Sequence, residues 1–502
     1  MILAPRYRAL NAETLVLGGG LVLGALVLCV LMSFPSMVLL ALALAAMGFG
    51  GLAMLTRQVR KPLLALLFIA APIEINKAVV ASAVSLFYPG GPYYSPGLYL
   101  SLAHMALLLL ALAWLGRRFI LERRLPPMTR LDWMVLAYMS SVWLRSMGSP
   151  QGILSIATAA SYSLAMLAFY VASHAIKDAS DLRLVLRSSL FVLFLTIGLA
   201  TLQYFTKSQL LQLPGIKNLA AGATIDLGNI GEVFRPPGFL SHPNALAHYL
   251  VAVLPPAVAL VLVGPRRLSG KIWWTSALAA VSAGAALLVT LSRGGWLSGG
   301  LAVAVIVAVY YRRGLISSRQ LRWLLAAVVV GAIAVLIAYP SILLRLTAPD
   351  GRSLESRVLL ADMATTMIQH NPWIGVGFGD YQRAAYAYVP PLFATVSPDY
   401  HFSLHQLVVH NHYLLLAAEL GVPAVLFFVY LLWRFARLAW PLERWRDPQT
   451  FALAVGLGAA VVGQGVFFNS DNYYADTRVF IFWLSAGLLQ ALTLHAERER
   501  SA

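Results

Sequence analysis

The chain has 502 residues, 60% of them apolar and 11% charged, with a mean hydropathy of +0.75. Soluble globular chains carry about 25% charged residues, so this composition excludes a disordered chain and speaks against a water-soluble enzyme. Lys plus Arg number 37 against 20 Asp plus Glu, a net charge of +17, and the single cysteine, Cys29, leaves no intrachain disulfide and no cysteine zinc site.

A helical bilayer crossing takes about 20 mostly apolar residues, and by that measure the sequence predicts an all-α polytopic membrane protein with about 14 transmembrane helices. In chain order they fall near 12–33, 36–56, 62–76, 97–116, 131–147, 152–173, 184–205, 245–264, 272–291, 294–311, 321–343, 411–433, 450–468 and 479–495. The first lacks a small-residue cleavage site after it and reads as a retained helix. With the N-terminus in the cytoplasm, most of the 37 basic residues fall on the cytoplasmic side, as the positive-inside rule requires. The charge is then topological, and no nucleic-acid partner need be invoked. Both termini are cytoplasmic in this reading. Residues 1–343 hold spans one to eleven, with an outer loop at 206–244. Residues 344–410 form a large outer loop with a helical stretch at 353–370, and 411–502 hold the last three spans and a tail. Loops this long usually carry function.

The outer basic residues are the informative ones, because orientation does not explain them. Arg235 belongs to Phe234-Arg-Pro-Pro-Gly-Phe-Leu-Ser-His-Pro-Asn244, which also supplies His242 and Asn244 and leads into the eighth span. Arg293 sits in the tight turn Leu291-Ser-Arg-Gly-Gly-Trp296, and Arg357 on the polar face of the loop helix. A guanidinium fork suits a diphosphate, since it makes two charge-assisted hydrogen bonds at once. Each arginine could equally bind lipid headgroups or pair with a carboxylate such as Glu355. The run Gly375-Val-Gly-Phe-Gly379 lies in an outer loop without a strand–helix unit, so it is no nucleotide fingerprint.

Four of the ten histidines, His401, His405, His410 and His412, cluster before the twelfth span. Their spacing matches no compact metal motif, and no metal ligand is assigned. His410, followed by Asn411, stands where the loop meets an apolar helix, and an imidazole of ordinary pKa there can take a proton from a hydroxyl at neutral pH. The other three read as capping or interfacial histidines. Glu419 lies about 13 Å further along the same helix, and an intramembrane carboxylate is a functional candidate by default. Asp471 and Arg478 crowd the outer end before the last span and can bind sugar or each other.

Taken together, these segments resemble the O-antigen ligase and Wzy-type O-antigen polymerase superfamily. Family ligases look like His-[Asn/Ser/Gln]-x9-Gly-x-x-[Gly/Thr/Tyr] at the end of the large periplasmic loop. Here His410, Asn411 and Gly421 match, while Ala424 departs. The segments 235–244, 292–294, and Arg357 followed by 371–379 are similar to the family pattern and stand in its order. The resemblance covers about residues 234–435 and implies a GT-C-like membrane glycosyltransferase in the bacterial inner membrane, with its site on the periplasmic face. It implies His410 as general base, Arg293 and Arg357 on the donor diphosphate, and no metal or other cofactor. The donor implied is an undecaprenyl-diphosphate-linked glycan, the acceptor a glycan or lipid A core, and other polysaccharide-assembly proteins are partners of such enzymes. Ala424 and the chain length tilt the expectation towards a polymerase. A flippase or transporter of lipid-linked oligosaccharide is the alternative of another class; it would move the lipid without cleaving it.

Overall fold

The structure, a computed structural model, describes residues 60–81, 96–207, 224–226, 231–347, 352–395, 407–440, 442–471 and 477–501. The expected spans at 12–33 and 36–56 lie outside the described residues, as do His401 and His405.

The chain enters through α1 (Arg60–Ala70) and a hairpin of β1 (Asn76–Ala81) and β2 (Gly97–Ser101), antiparallel with an irregular register after Ala78. There follow α2 (Leu102–Gly116), extended by a π-helical turn at Arg117–Leu121, then α3 (Arg130–Met147), α4 (Ile153–Ala175) and α5 (Ala179–Thr206). A second short hairpin, β3 (Thr224–Asp226) with β4 (Glu232–Phe234), precedes α6 (Pro243–Val263), α7 (Gly270–Val289), α8 (Arg293–Arg312) and α9 (Ser318–Ala338). Between α9 and the final helices come α10 (Pro340–Thr347), α11 (Arg352–His370) and the single turn α12 (Tyr381–Ala384). The chain closes with α13 (His412–Leu420), α14 (Val422–Leu438), α15 (Pro448–Phe467) and α16 (Thr477–Ser501).

Eight helices of the described residues are long and apolar enough to cross a membrane: α2, α4, α5, α6, α7, α8, α15 and α16. Each answers to one expected span; of the six others, 12–33 and 36–56 are outside the described residues, and the four within them take the following forms. The segment 62–76 is helical only to Ala70, because Pro72 and the buried Glu74 follow and the chain turns into β1. The segment 131–147 forms α3, whose 18 residues carry Arg130, Asp132 and Arg145. Tyr339 and Pro340 divide 321–343 between α9 and α10. The segment 411–433 is broken at Gly421 (φ +87°) into α13 and α14. The described residues are mostly helical, as expected of an all-α membrane protein, with two short two-stranded sheets beside the helices. The helical stretch expected at 353–370 is α11.

Helix starts are fixed by side chains that satisfy the first free N–H groups: Ser101 and Thr129 form capping boxes with His104 and Asp132, and Asp178, Ser269 and Asp447 cap α5, α7 and α15. Helices in lipid gain nothing by excluding tails from each other, so close association depends on small residues. α15 packs on α6, α8, α14 and α16. Its Gly456 leaves no room for a Cβ over the Pro256 backbone, and Gly463 touches Ser298 of α8. Gly487 of α16 lies on the Phe169 backbone of α4 in the same way.

The two ends of the bundle differ. At the end where α3 and α5 begin, Arg60 forks onto Asp181 at 2.6 and 3.0 Å, and Asp132 takes hydrogen bonds with His174 (2.9 Å) and Gln490 (3.0 Å). These buried pairs tie α1, α3, α4, α5 and α16 together. The opposite end, where α6, α8, α13 and α16 begin, holds the sequence motifs.

Candidate functional site

The segment before α6 is folded by residues far away in sequence. Gly238 (φ +65°) lies against Thr196 of α5, and the Gln203 amide grips it on both sides, accepting from Gly238 N (2.8 Å) and donating to its carbonyl (3.1 Å). Glu74, 1% exposed, accepts from both the N–H and the hydroxyl of Ser241 at 2.7 Å. Such a buried carboxylate is stable because charge-assisted hydrogen bonds replace its water. Arg235 is buried: its Nε donates to the Thr290 carbonyl (2.7 Å) and its Nη2 to Asn244 Oδ1 (2.8 Å). It therefore acts as a strut between the entrance of α6 and the end of α7, with Asn244 as its receiver. His242 is the N-cap of α6, its Nδ1 accepting from Asn244 N (3.0 Å).

From Thr290 the chain turns through Leu291, which adopts φ +51° although it is not glycine, a strained conformation that the surroundings must enforce. Ser292 caps α8 and places Arg293 in its first turn. Arg293 Nε donates to the Arg345 carbonyl of α10 (2.7 Å), while Arg345 Nε donates to the Leu291 carbonyl (3.2 Å). The next residue, Gly294, abuts the Ser470 side chain, which sets Arg293 close in sequence to a contact with the neighbour of Asp471.

The segment 372–377 is locked to the α13–α14 junction through main chain. Breaking the helix at Gly421 turns the Ala418 and Glu419 carbonyls towards the glycine-rich run: Val376 N donates to Ala418 O (2.8 Å), Gly377 N to Glu419 O (3.0 Å), and Val422 N to Pro372 O (2.8 Å). Gly375 (φ +63°) and Gly421 are the residues where the two chains touch, and a Cβ on either would fall into the facing backbone. The glycines are thus required by close approach, not by a nucleotide. The Glu419 side chain is fully buried, and its Oε1 accepts from Tyr381 N (3.0 Å), tying α13 to α12. Arg145 donates to the Gly375 carbonyl (3.1 Å), and Ser155 to that of Phe378. Asn411 is the N-cap of α13, its Oδ1 accepting from Leu414 N (3.1 Å). The main-chain N–H of His412 donates to the Phe468 carbonyl (2.8 Å), and its buried ring packs on Phe428 and Phe468.

These separate stretches meet around His410. Arg478 and Asp471 form an ion pair at 2.6 Å with both side chains 2% exposed. The His410 imidazole lies in their field and in that of Arg357. Burial lowers its pKa below the ordinary 6.5; Asp471 and a hydrogen bond with the Val408 backbone oppose that shift, and Arg357 and Arg478 add to it. His242 lies in the same field: burial, then Arg235, hold its pKa down at about 3. Both rings are therefore neutral at pH 7. Among the described residues no group of three or more His, Cys, Asp or Glu side chains gathers as a metal site would.

Arg235, His242, Arg357, His410, Asp471 and Arg478 thus share one electrostatic field, and Arg293 stands at the same end of the bundle in the first turn of α8. Asn244, Asn411 and Glu419 serve the backbone or another side chain there. Glu74, Gln203, Arg145 and Arg345 are additional members of this framework that the motif reading omits. Only Glu74 carried a visible signal, as a carboxylate inside an apolar stretch.

Residues 277–429 match the family model described as O-antigen ligase. This supports placing that segment in the O-antigen ligase and Wzy superfamily, a family of glycosyltransferase-like enzymes in general, and the eight apolar helices are those of a multi-pass membrane protein. No curated protein matches the chain in sequence.

Proposed function

We propose that the chain is a polyprenyl-diphosphate-dependent glycosyltransferase of surface polysaccharide assembly, with its site on the periplasmic face of the bacterial inner membrane. A lipid-linked glycan is the donor, and the hydroxyl of another lipid-linked glycan is the favoured acceptor; lipid A core is the ligase variant of the same chemistry. What carries the reading is the clustering of a neutral, partly buried imidazole with arginines from sequence-distant elements in the matched segment and around it.

His410 is the base. A hydrogen bond with the Val408 backbone orients its ring, and an unprotonated ring nitrogen takes the proton once the acceptor is seated. The acceptor oxygen loses its proton to that nitrogen and bonds to the anomeric carbon. The bond from that carbon to the diphosphate oxygen breaks, and its electron pair leaves with the diphosphate. Attack from the face opposite the leaving group inverts configuration. Arg293 and Arg357 neutralise the negative charge that grows on the diphosphate, and Arg345 supports Arg293. The donor bond is already activated, so the reaction needs no nucleotide sugar and no added cofactor. The outer segment, including α11 and α12, covers the glycan.

Reconstitution with defined lipid-linked repeat units, in the presence of EDTA, tests this. Wild-type protein releases free polyprenyl diphosphate and lengthens the glycan on lipid, and His410→Ala does neither. Full turnover by His410→Ala refutes the base assignment, and lipid translocation without cleavage favours the flippase.

A further inference from the structure

We propose that a groove running along the bundle binds an anionic phospholipid, whose headgroup rests on Arg183, Arg187 and Lys271 at the end opposite the glycan site. The groove, of about 580 Å³, runs between α1, α5, α6, α7, α15 and α16. Most of its wall is aliphatic, with Phe68 and Tyr249 towards the site end. Its charged lining gathers at the other end, where α5, α7 and α15 begin with Arg183, Arg187, Lys271 and the neutral Gln449.

Charge complementarity identifies the occupant. The described lining contains three cations and no Asp or Glu. Arg183 and Arg187 are four residues apart on α5, both exposed, so their charges oppose each other until an anion sits between them. Neither they nor Lys271 form an ion pair with another described residue. Arg187 lies about 24 Å along α5 from Gln203, which holds the site loop, a separation close to the thickness of a bilayer core. One phosphate at the cationic end with acyl chains running up the apolar wall matches a phospholipid of the leaflet opposite the glycan site. The donor of the proposed reaction is the wrong way round for it, because its diphosphate belongs at the other end. The lipid site stands independently of the reading of His410.

The test titrates the purified full-length chain in detergent with phosphatidylglycerol or phosphatidylcholine, read by native mass spectrometry and thermal unfolding. Phosphatidylglycerol is expected to bind and stabilise in preference to phosphatidylcholine. Arg183→Gln with Arg187→Gln should lower that affinity about tenfold or more. Arg266→Gln with Arg267→Gln removes as much charge at the same end outside the groove, and should leave it unchanged. Because all four positions are exposed, unfolding without lipid should not move. Equal weakening by both pairs, or no preference between the lipids, overturns the proposal. Cross-links from the groove to residues 1–59 overturn it as well, by giving the groove to the chain itself, and so does competition by a polyprenyl diphosphate.

Discussion

Arg293 and Arg345 brace one turn from both sides: Arg293 Nε donates to the Arg345 carbonyl at 2.7 Å, and Arg345 Nε donates back to the Leu291 carbonyl at 3.2 Å. The second bond holds a residue at φ +51°, just ahead of the arginine proposed to meet the diphosphate. Removing it should let the turn relax. Arg345→Ala is expected to lower the rate of glycan transfer about tenfold, the equivalent of one hydrogen bond of about 1.4 kcal/mol. Arg345→Lys should not restore the rate, since an ammonium has no Nε to donate sideways. The measurement is release of polyprenyl diphosphate, and wild-type rates in Arg345→Ala would separate the brace from the chemistry.

The acid side of the pH profile follows from His410. Its pKa is lowered from 6.5, first by burial and further by Arg357. A base must be unprotonated, so kcat/KM should stay level down through pH 6.5 and fall only below it. In Arg357→Gln the cation that opposes protonation is gone, so the falling limb should move up towards 6.5, with a higher donor KM beside it. Stability has the same sign. The unfolded imidazoles of His410 and His242 take up protons near 6.5 while the folded ones stay neutral, so their burial costs nothing above that pH and destabilises as the pH drops below it. A pH–rate profile of both proteins reads the limb directly.

Gly375→Ala tests the main-chain contact. The position needs φ +63° and has no space for a Cβ against Glu419, so the substitution should cost about 1–3 kcal/mol or more. Hydrogen exchange should quicken at the Val376 and Gly377 amides, which donate across this contact. Gly331→Ala, in α9 with nothing near its Cβ position, is the matched control and should be neutral or slightly stabilising.

Eight spans were legible because hydropathy summed over some twenty residues has one physical meaning in a bilayer. The break at Gly421 was not, because 411–433 is apolar enough, Glu419 apart, to read as one span, and only the pairing with 372–377 gives the broken form its hydrogen bonds. The same limit applies to side chains. His410 and Arg293 stood out by type and place, whereas nothing in the sequence joins Glu74 to Ser241 or Gln203 to Gly238. Asn411 was flagged by its motif, and its bond to Leu414 N shows that a motif residue can be there to start a helix.

The glycine contact between 372–377 and 418–422 also constrains how such enzymes can be recombined. A chimera with one junction before 372 and the other inside 378–417 sets a foreign 372–377 against the native 418–422, two backbone surfaces that did not arise as a pair. Exchanges meant to transplant sugar preference should therefore carry 371–422 as one cassette.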